Sequence, residues 1–167
     1  MGRRGPGPVT ATLAERQFAL IPWQRLRAGG GMATRVGDDL RMLMFAGVES
    51  DDGSEERLEN EVESQGHLFE CAPAVVSVIV AGVVEGVVPP ASRAPCLDLL
   101  GRVLGGQADE SEVDRECADL RALCRYEAMR GYWGLMRAAD ERDPYDAWRT
   151  AVAVLRTIDD ARALLGS

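Results

Sequence analysis

The sequence contains no lysine, and all 19 of its basic residues are arginine. Chemistry that builds a Schiff base on a lysine amine is therefore excluded, as is a P-loop, whose lysine reaches the nucleotide phosphates. Histidine occurs once, at His67, which excludes metal motifs that need two. Aromatic residues make up only 5% of the 167 positions. No run approaches the roughly 18 consecutive apolar residues of a membrane-spanning helix, and no apolar segment follows Arg3 and Arg4 to read as an export signal. The four cysteines, Cys71, Cys96, Cys117 and Cys124, include no C-x-x-C pair. Cys96, Cys117 and Cys124 fall on apolar helical stripes, so they read as small buried hydrophobes of a cytoplasmic protein, and no disulfide is expected.

What is present suits one domain with a sizeable core, since 46% of the residues are hydrophobic and 28% charged. The tail Met1 to Pro8 (MGRRGPGP) is too polar and Gly-rich to order itself, and residues 9–167 form the expected domain. Acidic residues number 27, giving a net charge of -8. Such a field repels a phosphate backbone, so nucleic acid is a poor partner, and it speeds encounter with a basic protein.

Apolar spacing along the chain is helical throughout, with no period-2 alternation. A short helix between Val9 and Leu20 ends at Pro22, and the Gly29-Gly30-Gly31 break precedes a helix carrying Val36, Leu40, Leu43 and Met44, with Asp38 and Asp39 expected in its first turn. The acidic turn Glu49 to Glu56 leads to a helix with Leu58 and Val62, closed by Gln65 and Gly66. The Val-rich run Cys71 to Val88 reads as a buried helix with Pro73 in its first turn, because Ser77, Ala81 and Glu85 recur four apart. Pro89 and Pro90 stop it, and the next helix carries Cys96, Leu97, Leu100, Val103 and Leu104 before Gly105 and Gly106. An acidic turn, Gln107 to Glu112, is expected to lead into a helix with Val113, Cys117, Leu120 and Cys124 on one stripe, with a kink or break at Gly131 and Gly134, and another helix runs from the Asp143-Pro144 cap through Ile158, with a short last turn over Asp160 to Leu165. The result is an all-α chain of about six to eight helices, read as antiparallel hairpins stacked into a short α-solenoid.

The stretch DPYDAWRTAVAVLRTI, Asp143 to Ile158, resembles the second helix of a HEAT repeat. Taken in order with Trp23, GGGMATRVGDDLRML, LENEVESQGHLF, APAVVSVI and CLDLLGRVLGG, it is similar to HEAT-like proteins of actinobacterial type, over roughly residues 22 to 158. Those proteins carry His-Gln-Gly-Thr and a Val-Pro step where this chain has Ser64-Gln65-Gly66-His67 and Val76-Ser77-Val78. The resemblance implies the fold, and implies roles such as immunity protein to a toxin or accessory part of a biosynthetic enzyme.

Candidate chemistry is sparse. His67 and Cys71, four apart, could share one helical face as two metal ligands, but no further pair is placed to complete a site, so no metal or other cofactor is expected. A Cys/His nucleophilic pair would have to use His67, and only Cys71 and Cys96 have surroundings suggestive of an activated thiol, which packing explains better. Trp23, Trp133 and Trp148 with Arg25, Arg130 and Arg149 are similar to the groove of HEAT-like DNA glycosylases, yet the acidic field opposes DNA, and core packing is the simpler use of the tryptophans. Asp38, Asp39, Gln65, His67 and Glu70 lie in or near two inter-helix loops that a stacked-helix protein places on one edge. They are the candidate partner-binding residues of a non-catalytic scaffold, an immunity or inhibitor protein docking on a basic partner. The alternatives are an accessory subunit of a peptide-modifying enzyme and, third, a glycosylase-like enzyme.

Overall fold

A computed structural model describes residues 11–46, 53–113, 119–140 and 147–165. The expected tail at Met1 to Pro8, Cys117 and the Asp143-Pro144 cap lie outside the described residues. Those described are mostly helical, as the spacing predicts, and none of their helices is long and apolar enough to cross a membrane.

Helix α1 (Leu13–Leu20) opens on a capping box: the Thr12 hydroxyl accepts from the Glu15 amide, and the Glu15 carboxylate accepts from the Thr12 amide. A 3-10 turn at Trp23–Arg25 leads to a small hairpin of β1 (Arg27–Ala28) and β2 (Gly31–Met32). Helix α2 (Thr34–Arg41) starts early enough that Asp38 and Asp39 fall beyond its first turn, which corrects their expected place at the helix N-terminus. A π-helical turn, Met42–Ala46, follows it. Helix α3 (Ser54–Val62) runs directly into β3 (Glu63–Ser64), which pairs antiparallel with β4 (His67–Leu68) across a turn at Gln65-Gly66. Both turn residues have positive φ, 53° at Gln65 and 89° at Gly66. No strand is legible in the sequence because two-residue strands show no periodicity.

Helix α4 (Ala72–Glu85) is the centre of the molecule. Val75, Val76, Val78, Ile79 and Val80 are all buried and span more than half of its circumference, while Ala74, Ser77, Ala81 and Val84 on the remaining side are half-buried, a wider apolar face than a surface helix shows. Pro73 sits in its first turn as expected, and Gly86, at φ 74°, ends it in the left-handed conformation that glycine adopts without strain. The cover comes from α1, from α5 (Pro90–Gly105), and from α7 (Leu120–Arg130) and α8 (Tyr132–Asp140). The C-terminal α9 (Ala147–Leu165) packs on α5 and α8. It continues through Ile158 to Leu165, so the expected separate last turn is part of one helix. Between α5 and α7, β5 (Gln107–Ala108) adds in parallel to β4, and α6 (Glu110–Val113) follows. One hydrophobic core joins these elements, and it holds Trp23, Leu40, Leu68, Leu100, Leu135 and Ile158.

Candidate functional site

The two loops singled out in the sequence do meet. Gly29 donates its amide to the Glu61 carbonyl at 2.9 Å, and Cys71 donates to the Arg27 carbonyl at 3.0 Å, so the β1–β2 hairpin lies against the end of α3 and the β4–α4 junction. A Cβ at residue 29 would stand 2.8 Å from the Asn60 carbonyl oxygen, which is why glycine is required there. Three arginines then tie this edge together. Arg27 Nε bonds Glu112 Oε1 at 3.0 Å, while its backbone amide donates to Glu70 Oε2 at 3.1 Å. Arg57 holds Asp39 in a two-pronged bond, both contacts at 2.9 Å. Arg102 bridges Glu59 and the buried Glu63.

Of the five candidate residues, then, Asp39 and Glu70 are engaged within the fold, whereas Asp38 and Gln65 are exposed. His67 is half-buried on β4; its Nδ1 lies 3.9 Å from Asp109 Oδ2, too far for a hydrogen bond. It shares no helix with Cys71, which stands at the N-cap of α4, so the expected common helical face for two ligands does not exist. Among the described residues no group of three or more His, Cys, Asp or Glu side chains is placed to hold a metal ion. Burial raises the Cys71 thiol and pushes those of Cys96 and Cys124 up to about 12, so none of the three is a thiolate at neutral pH.

A second surface escapes the sequence reading. The expectation that the tryptophans fill the core holds for Trp23, which is 8% exposed and lies on Gly37 beside Phe18, but fails for Trp133, which is 79% exposed. The side chain of Trp148 is outside the description. Trp23 is thus unable to stack on a base, and the glycosylase-like groove loses one of its three tryptophans.

Trp133 belongs to a stripe. On α7 and α8 the buried positions Leu120, Cys124, Ala128, Gly131 and Leu135 share one face. Gly131 and Gly134 bring that face so close to α4 that added Cβ atoms would stand 2.1 Å from Val80 Cγ1 and 2.6 Å from Val84 Cγ2. At 100° per residue, Tyr126, Met129, Trp133 and Met136 occupy the opposite face, and all four are exposed, Tyr126 at 62%. The signal was present in the sequence: glycines three apart mark the buried side and place the apolar residues between and around them on the other. Compared with family models, with curated proteins and with solved structures, the chain finds no significant match.

Proposed function

We propose that this chain is a non-catalytic, cytoplasmic protein-binding scaffold, a short HEAT-like arrangement of stacked helical pairs that docks a partner on the exposed face of α7 and α8. The observation that carries the reading is that α7 and α8 are apolar on both faces, one buried on α4 and one facing solvent. An exposed apolar stripe on the side of a helix away from the core marks a face that belongs against something. The residue types fit as well, because Trp, Tyr, Met and Arg are enriched where interfaces concentrate their binding energy. The buried, protonated thiols and the lone half-buried His67 support the absence of catalysis.

The inhibitor or immunity role with a basic partner remains the reading for the acidic edge, where Asp38 and Gln65 stay available while Asp39 and Glu70 are occupied. An accessory subunit would use the same scaffold to hold another enzyme's substrate. Affinity capture from the native lysate separates the two surfaces. A partner retained by the native chain and by Asp38→Arg but lost with Trp133→Ala places docking on the stripe. Loss with Asp38→Arg alone would move it to the acidic edge, and a partner that neither change releases would contradict both placements.

A further inference from the structure

The exposed stripe has a charge pattern opposite to that of the molecule. Between Asp119, the N-cap of α7, and Asp140 there are four arginines against three acids, Asp119, Glu127 and Asp140, on a chain whose net charge is -8. On the helical projection Arg121 and Arg125 border one side of the stripe, and Arg130 and Arg137 border the other. Glu127 is paired with its own neighbour Arg130 at 2.9 Å, and Arg137 donates to the Val84 carbonyl. Arg121 and Arg125, one turn apart, form no ion pair among the described residues, and Arg125 Nε is buried without a hydrogen-bond partner there. The surface is therefore an apolar seam of Tyr126, Met129, Trp133 and Met136 between two basic margins.

We propose that this seam seats an acidic amphipathic helix of a partner protein, its apolar residues on the seam and its carboxylates against the arginine margins. The proposal rests on the scaffold reading and names the partner's chemistry. A helix laid along α7 and α8 presents anchors three and four residues apart, and Tyr126, Met129, Trp133 and Met136 recur at the same steps, at i, i+3, i+7 and i+10 over about three turns. Charge decides against a second copy of this chain. Whether two copies paired parallel or antiparallel along the seam, a basic margin of one would face a basic margin of the other, with no row of carboxylates to meet it. Charge also decides against an extended anionic surface, such as a bilayer or nucleic acid, which meets the repulsion of the whole molecule. A single helix senses chiefly the margins, within a Debye length of about 8 to 10 Å.

The test uses the full chain and three synthetic peptides of about five turns: one with a leucine seam flanked by glutamates, a twin with lysines for the glutamates, and a scrambled version of the first. Titration calorimetry is expected to show binding of the glutamate peptide, weakened by salt, with the lysine twin at least about tenfold weaker and the scrambled peptide not bound. Trp133→Ala is expected to weaken binding by about tenfold or more, with the circular dichroism and melting of the protein unchanged. Arg121→Glu with Arg125→Glu is expected to shift preference toward the lysine twin. Equal affinity for the two charged peptides, binding indifferent to Trp133, or no binding of the glutamate peptide would each overturn the proposal. So would self-association or binding to anionic vesicles that Trp133→Ala abolishes. If the peptides fail while affinity capture still retains a partner through Trp133, only the partner's chemistry is wrong; if capture fails as well, the scaffold reading falls with it.

Discussion

Arg27 is the residue on which the polar edge depends. Glu112 is only 2% exposed, and its carboxylate is held by Arg27, whose backbone amide also bonds Glu70. A buried charge deprived of its partner is costly, so Arg27→Met is expected to destabilise the fold by about 3 kcal/mol in urea unfolding. A loss under about 0.5 kcal/mol, the range of an ordinary surface change, would show that the pair is not structural. The thiols give a second prediction at this scale. Burial raises Cys96 and Cys124 in the folded state to about 12, against about 8.5 for a free thiol. The folded state therefore binds more protons, and the stabilisation each thiol gives is complete below about pH 8.5 and lost as pH rises toward 12. Native alkylation at pH 8, mapped by mass, is expected to leave Cys71, Cys96 and Cys124 unmodified until denaturant is added. Cys96→Ala is expected to flatten the alkaline fall in stability. Cysteine burial was legible from helical spacing for Cys96 and Cys124. The Arg27–Glu112 pair was not, because its members are 85 positions apart and meet only through the docking of the first hairpin.

At the scale of elements, α4 was legible despite its valines, because the four-residue recurrence of Ser77, Ala81 and Glu85 outweighs local strand preference once helices surround it. The two hairpins were not. Their strands are two residues long and exist because Gly29 docks on Glu61 and β5 adds to β4, neither of which leaves a local pattern. The break expected at Gly131 does separate α7 from α8, but together with Gly134 this glycine also seats these helices on α4. Gly131→Ala and Gly134→Ala are each expected to cost about 1 to 3 kcal/mol, since the added methyl overlaps Val80 or Val84. Gly105→Ala, at the end of α5 with open space around it, is expected to leave stability unchanged or slightly improved. Equal effects at the three sites would mean that helix propensity rather than close packing governs them.

For the whole molecule, the distribution of surface types matters more than the net charge. An acidic chain that ties Asp39, Glu59, Glu63, Glu70 and Glu112 to Arg27, Arg57 and Arg102 on one edge exposes, on α7 and α8, an apolar seam between arginines. The side chains of Asp38, Gln65 and His67, three of the five candidate residues, make no hydrogen bond among the described residues, and the seam is legible only from the glycine spacing, because burial of a tryptophan depends on which face of its helix is covered. The measurement that addresses this account most directly is site-specific photo-cross-linking in the native cell, with the photoreactive residue at position 133 and, as a control, at exposed position 98 of α5. The account predicts one discrete protein adduct from position 133 and none of that mass from position 98. Labelling of position 133 by solvent alone, in a protein that remains folded, would contradict it.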